Sequence, residues 1–451
     1  MSVGQEALWF LHALAPDSSA YNVCGALSLD FDVDVSALEA AALSVVSGNT
    51  MLNCLFRSTR AGLRRLPGAA APYPSVFEAR RLLGARSGDA VQAAVLEASR
   101  RPFRLEREAP VRISLLSADD GDVLVVTGHH IVLDNVSHLR LWRDLLTAYG
   151  HSTGARPALV VAGAPSEGGG QDAGADYARF VRLEQDFLRS PRGESARRHW
   201  HKVLRSVTSD PPLVGDLPRP NVYWFTGDQI ETVVPAELMT RITALAGRTG
   251  TTSFTVLFAV FQLLLYSLTG ERVRLIGYPV AVRPGARFRS ATGHYVNTLP
   301  FPARVEADDS FADLLERTSA EVWSGLVHSK YSFALMSQLA QRPRQADRAG
   351  LVSVLCVLAE EDVAELTGEV LPTGHRVRVY PVAQQQGQFD LTLQVSKRGP
   401  ATAVVLKYNT SLFTADAART VADGYLGLLA AAAEDTLPDR LGDLASTLAL
   451  S

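Results

Sequence analysis

The stretch His129-His130-Ile131-Val132-Leu133-Asp134 joins a segment with the period of a strand to one with the period of a helix, and that junction decides the fold class. Upstream, Arg112 to Ser117 and Asp122 to Thr127 read as two strands joined by Asp119-Asp120-Gly121, residues suited to a hairpin turn. Downstream, Leu139, Leu141, Trp142, Leu145, Leu146 and Tyr149 recur at helical spacing, which predicts a helix over 137–149. Side chains alternate across a strand, so adjacent histidines at its carboxyl end point to opposite faces: one can face a cavity while its neighbour packs. An imidazole titrates near neutrality and can hold or deprotonate an incoming nucleophile, which makes His130 the candidate base. Asp134 invites a buried cation, and Arg283, just beyond an apolar segment at 273–282, is the expected partner. On these residues alone two plainer readings stay open. The histidines could simply pack or lie at the surface, or His130 and Asp134 could hold a metal, although no third ligand stands at suitable spacing.

The same mixing of strand and helix signals continues in both directions. Ser36-Ala37-Leu38-Glu39 has the spacing of a capping box and opens a helix to about Val46; another helix is expected over 89–100. Between Gly150 and Ala175 the composition turns to Gly, Ala, Pro and Ser without a period, as in a linker. Helices resume at 176–189, 194–204, 235–248, 252–269 and 415–433, and strands are expected at 230–234, 273–282, 351–358, 389–395 and 403–408. This predicts two α/β lobes: an N-terminal lobe over 1–175, with the linker at 150–175, and a C-terminal lobe over 176–451. Gly150-His151-Ser152-Thr153-Gly154 fits the spacing of a hydrolase nucleophile elbow, but it follows a helix where an elbow needs a strand.

Composition narrows the function. A chain of 451 residues with 47% hydrophobic and 20% charged residues is long enough for two cores and reads as an ordinary globular protein. A formal net charge of -3 lacks the basic footprint of sequence-independent nucleic-acid binding, and no apolar run reaches the length of a membrane helix. Cys24, Cys54 and Cys356 are widely spaced, which suits a reducing cytoplasm and argues against a disulfide framework or a zinc ribbon.

Several separated segments together resemble, in order, the motifs of the condensation domain of nonribosomal peptide synthetases. Ser2-Val3-Gly4-Gln5-Glu6-Ala7-Leu8-Trp9-Phe10-Leu11 is similar to SxAQxRLWFL, and His129 to Asn135 to HHxxxDG. Asp176-Tyr177-Ala178, Asp216-Leu217-Pro218-Arg219-Pro220 and Gly277 to Arg283 resemble the DYA, LPxDRPRP and GxPVAxR segments. Gly293 to Pro300 resembles GxFVNTLP, and Phe389-Asp390-Leu391 with Tyr408 to Phe413 the FDL and YNTxLF segments. The resemblance covers residues 2 to about 448. It implies two chloramphenicol-acetyltransferase-like lobes in a V-shaped pseudo-dimer with a central tunnel. It assigns His130 the catalytic role and makes His129, Asp134, Asn135 and Arg283 supports. Asn297, Tyr295 and Gln388 are expected along the substrate tunnel, Asn297 as a donor to substrate or oxyanion. Gly4, Gln5, Trp9 and Tyr21 are expected to pack.

The resemblance further implies a peptidyl carrier protein bringing the acyl donor on its 4′-phosphopantetheine arm, and a small-molecule or carrier-bound acceptor. No cofactor or metal bound to the chain itself is expected, nor nucleic acid or membrane; a free-standing monomer is. A coenzyme-A-dependent acyltransferase and a non-catalytic recruitment domain are the other classes the pattern admits. Three departures stand out: Asn135 replaces the motif glycine, Gly48 to Phe56 lacks both arginines of RHExLRTxF, and PFDLE has become Pro102-Phe103-Arg104-Leu105-Glu106. His328-Ser329-Lys330-Tyr331-Ser332-Phe333-Ala334 replaces HQDxPFE.

Overall fold

A computed structural model describes residues 1–60, 62–68, 76–82, 88–119, 121–153, 173–207, 211–340, 350–359, 377–382, 388–398, 401–445 and 447–448. In chain order the elements are α1 (Val3–Leu14), β1 (Asn22–Leu29), α2 (Val35–Ser47), β2 (Cys54–Thr59), β3 (Gly62–Pro67), β4 (Phe77–Arg81), α3 (Gly88–Arg100), β5 (Val111–Ala118), β6 (Gly121–His129), α4 (Asn135–Ser152), α5 (Ala173–Arg189) and α6 (Pro191–Ser206). They continue with β7 (Gly227–Val234), α7 (Ala236–Arg248), α8 (Ser253–Thr269), β8 (Val273–Ala281), β9 (Val296–Arg304), α9 (Phe311–Val327), α10 (Phe333–Leu339), β10 (Val354–Ala359), β11 (Val377–Tyr380), β12 (Leu391–Arg398), β13 (Ala401–Asn409) and α11 (Ala415–Glu434).

These elements form two compact units. The first gathers residues 1–186, 283–295 and β11 around a sheet in the order β11-β1-β6-β5-β4. Strands β5 and β6 form the expected hairpin, while β4 runs parallel to β5. Helix α3 packs on β1, β5 and β6, and α4 packs against α2. The apolar stripe read in 137–149 is the buried face of α4, with Trp142 and Leu145 fully enclosed; burying each such side chain contributes about 1.5–3 kcal/mol.

The second unit takes in 187–282, 296–360 and 386–451, around a sheet in the order β7-β13-β12-β10-β8-β9. Strand β10 lies parallel to both β8 and β12, and the remaining pairs are antiparallel. Every residue of α8 from Thr255 to Ser267 is buried, with α7, α9 and α11 packed around it. An all-round apolar helix is therefore the core of this unit. Among the described residues no single helix is long and apolar enough to cross a membrane.

The division differs from the expected boundary at 175/176. Helix α5 belongs to the first unit as far as Asp186, and residues 283–295, far along the sequence, return to it because Arg283 and its neighbours hydrogen-bond the start of α4. The expected linker lies outside the described residues from 154 to 172. Helix α2 starts earlier than its apparent capping box: Asp34 is the N-cap, accepting from the Ala37 N–H at 3.0 Å, and Ser36 lies inside the helix. The elbow-like Ser152 ends α4 and donates to the Ala148 carbonyl at 3.0 Å, so it is no nucleophile elbow.

Candidate functional site

His129 closes β6 and His130 begins the turn that follows it. That turn is drawn tight against the strand. A Cβ on Gly128 would lie 2.2 Å from Leu133 Cδ1, so the Leu133 side chain folds back into the space that glycine leaves open. The returning Leu133 presents its carbonyl to His130 Nδ1 at 2.6 Å. A carbonyl can only accept, so Nδ1 carries the hydrogen and the neutral ring keeps its lone pair on Nε2, the arrangement a general base needs. The His130 N–H is spent on the Tyr21 carbonyl at 2.8 Å, anchoring the residue from behind.

His129 points the other way, as strand alternation requires. Its Nδ1 accepts from the Ile131 N–H at 3.1 Å, and its ring meets the rings of His12 and Phe103 edge-on. Burial, reinforced by His12, His130 and His294, holds its imidazole well below the ordinary histidine range. His129 is thus a neutral packing histidine that shapes the turn.

Asp134 holds the far end of the turn. It is 1% exposed and bonds Arg283 Nη2 through both oxygens, at 2.6 and 2.8 Å. The same carboxylate caps α4 through the Ser137 N–H at 2.8 Å and accepts the Tyr295 N–H at 3.2 Å. Arg283 Nη1 donates to the carbonyls of Phe288 and Ala291, each at 2.7 Å. Ser137, which the sequence reading missed, ties the two segments: its hydroxyl accepts from Arg283 Nη2 and from the Gly293 N–H, both at 3.0 Å. With its oxygens saturated by N–H donors, Asp134 serves as ion-pair partner and helix cap, not as a metal ligand.

Helix α1 braces the turn from another side. Gln5, fully buried, donates to the Ile131 carbonyl at 2.8 Å. Tyr177 donates to the His294 carbonyl at 3.0 Å and meets the Ser2 hydroxyl at 2.9 Å. Gly293 permits this contact, since a Cβ there would lie 2.3 Å from the Tyr177 ring. The opening motif therefore does more than pack.

Two expectations need correction, and one departure is explained. Tyr295 does not line a substrate path: it is 0% exposed, enclosed by Tyr177, Phe180 and Phe288, with the Arg283 guanidinium 4.4 Å from its ring centre. Asn297 is not a spare donor. Both amide hydrogens go to the carbonyls of Ser329 and Tyr331 at 2.7 Å, and its oxygen accepts the Phe333 N–H at 2.8 Å, so it fixes the loop before α10. Asn135 needs no glycine-like backbone: it is the exposed first residue of α4, and Asp435 is the only non-glycine residue with positive φ among those described. Gln388 is half-buried beside β12 in the second unit. As for other nucleophiles, burial pushes the Cys24 and Cys54 thiols up to about 12 and raises Cys356 as well, so none supplies a thiolate near neutrality.

A profile described as Condensation domain matches residues 1–440. Phosphinothricin tripeptide synthetase PhsC of Streptomyces viridochromogenes is 29% identical over 420 residues, 92% of this chain and 37% of that protein. The chain spans about a third or less of the length of the curated relatives it matches. Among solved structures, the first condensation domain of the calcium-dependent antibiotic synthetase superposes with a TM-score of 0.78 at 20% identity, covering 98% of each chain. The X-domain of teicoplanin biosynthesis, solved as a complex with OxyB, gives 0.82 at 22% identity, covering 100% of this chain and 96% of its own.

Proposed function

Because the chain belongs to the condensation-domain family, acyl-transferring enzymes of nonribosomal peptide synthesis that work with carrier-protein domains, we propose that it joins a carrier-bound acyl thioester to an amine or alcohol acceptor. The donor is an acyl or aminoacyl group on the 4′-phosphopantetheine arm of a peptidyl carrier protein; the product is an amide or an ester. The observation that carries this reading is the 2.6 Å contact between His130 Nδ1 and the Leu133 carbonyl, which dedicates Nε2 to proton acceptance.

In the proposed reaction the acceptor nitrogen or oxygen attacks the thioester carbonyl while Nε2 of His130 takes its proton. The tetrahedral adduct collapses, the C–S bond breaks, and the leaving thiolate recovers the proton from the imidazolium. Attack is direct, in keeping with the raised thiols. The Asp134–Arg283 pair, Ser137 and Gln5 touch no reacting atom; they hold the turn that carries His130.

The test supplies acyl-loaded carrier protein and, separately, the same acyl group on coenzyme A, each with amine and alcohol acceptors. Product from the loaded carrier but not from coenzyme A supports the proposal, and its mass with alkali sensitivity separates ester from amide. Equal turnover with coenzyme A would replace it by a coenzyme-A-dependent acyltransferase. No product with any loaded carrier, together with stable binding of a partner enzyme, would replace it by recruitment.

A further inference from the structure

His294 lies outside the motif residues that the reaction uses, at a position where the resembling segment GxFVNTLP specifies no residue type. Its ring nevertheless stands edge-on to the ring of His130, with centroids 4.9 Å apart and planes at 87°. Its Nδ1 is buried without a hydrogen-bond partner. Each side of His294 is fixed. Its carbonyl accepts from Tyr177, whose phenol meets the Ser2 hydroxyl, and its ring lies over Gly4, where an added Cβ would come within 3.2 Å of Cδ2.

We propose that His294 is a positioning residue for His130, its ring serving as the wall that keeps the catalytic imidazole aimed along one direction. This rests on the reading of His130 as the base. The Leu133 carbonyl holds His130 only at Nδ1, about which the ring could still tilt; a perpendicular ring packed against it restricts that freedom. Tilting of a base away from its proton by about 1 Å costs on the order of 100-fold in rate, so the wall matters to turnover even though it touches no substrate. Burial, reinforced by the neighbouring His130 ring, holds the His294 imidazole well below its ordinary range, so it stays uncharged beside a base that must become charged. A protonated neighbour would oppose proton acceptance by His130.

The test compares His294→Leu, which fills the space without an aromatic edge, and His294→Phe, which keeps the ring, with wild type and His130→Ala. Initial rates are read against acceptor concentration, and melting temperatures are recorded alongside. The Leu variant is expected to lose about 10- to 100-fold in kcat with KM nearly unchanged, and the Phe variant to recover to within about fivefold of wild type. Wild-type kcat in the Leu variant overturns the proposal, as does an equal loss in Leu and Phe, which would shift the role to the imidazole nitrogens. Should the Leu variant fail to fold, a Phe variant below about a tenth of wild-type kcat overturns it. The His130→Ala arm separates the two levels: wild-type turnover there removes the base itself, whereas a dead His130→Ala beside a fully active His294→Leu removes only the positioning role.

Discussion

Replacing Arg283 by Met should destabilise the first unit severely, because among the described residues the arginine is the only cation on a carboxylate that is 1% exposed. The substitution removes five hydrogen bonds: two to Asp134, one to Ser137 and one each to the Phe288 and Ala291 carbonyls. What remains on Asp134 are the neutral N–H groups of Ser137 and Tyr295. Stranding a buried charge in this way costs about 3–5 kcal/mol, a large part of the roughly 5–15 kcal/mol that keeps a domain folded. At roughly 2–4 °C per kcal/mol for a unit of this size, melting should fall by about 6–20 °C. Urea unfolding followed by circular dichroism at pH 7 reads the loss. Asp134→Asn keeps the helix cap but removes the charge, so Arg283→Met should cost about 1–2 kcal/mol less in that background. A loss under about 1 kcal/mol, or one as large in the Asp134→Asn background as in wild type, refutes the stranded-charge reasoning.

Gly128→Ala places a methyl 2.2 Å from Leu133 Cδ1, so the Leu133 side chain must repack; a stability loss of about 1–3 kcal/mol is expected by calorimetry, and a melting point equal to wild type would contradict it. Asn297→Ala leaves the Ser329 and Tyr331 carbonyls and the Phe333 N–H without their partner, so calorimetry should show a drop worth about 1–3 kcal/mol; a melting point equal to wild type would return Asn297 to the list of spare donors. Glu184 accepts the Val3 N–H and burial raises its carboxyl from 4.5 to about 6. A raised carboxyl stabilises the folded state below the unfolded value and loses that contribution as pH climbs through the folded one. Unfolding titrations should therefore show the Glu184→Gln variant gaining about 2 kcal/mol on wild type between pH 4.5 and 7, and a pH-independent difference would count against it.

How much of this was legible in the sequence depends on where the signal lay. The β5–β6 hairpin was readable from two apolar runs around an Asp-Asp-Gly turn, α4 from apolar residues at helical spacing, and α8 from an apolar run too long for a strand. Strand β9 was not: it carries Pro300 and Pro302, which the sheet tolerates only because β9 is an edge strand. Strand β1, with Cys24, Gly25 and Ala26, has little β-forming composition and is held instead by pairing with β6 and β11. Helix α1 hid behind apolar residues on most of its faces, including the exposed Phe10 and Leu14.

For the site, the Asp134–Arg283 pair was legible from charge and resemblance, and the structure joins the two as expected. The roles of Tyr295 and Asn297 were not, because a motif states which residue stands at a position but not where its hydrogen bonds go. Ser137 follows Asp134 by three residues, the spacing at which an N-cap meets its helix, and that signal could have found it. His294 had no such signal: its bearing on His130 exists only because residues 283–295 return to the first unit.

The central claim is that His130 takes the proton during acyl transfer. The most direct measurement is the single-turnover rate at which acyl-loaded carrier protein is consumed in the presence of acceptor, by wild type and by His130→Ala folded to the same melting temperature. The account predicts a loss of about 100-fold or more in the variant, with the acyl group appearing on the acceptor in wild type. Equal rates for the two proteins would contradict it.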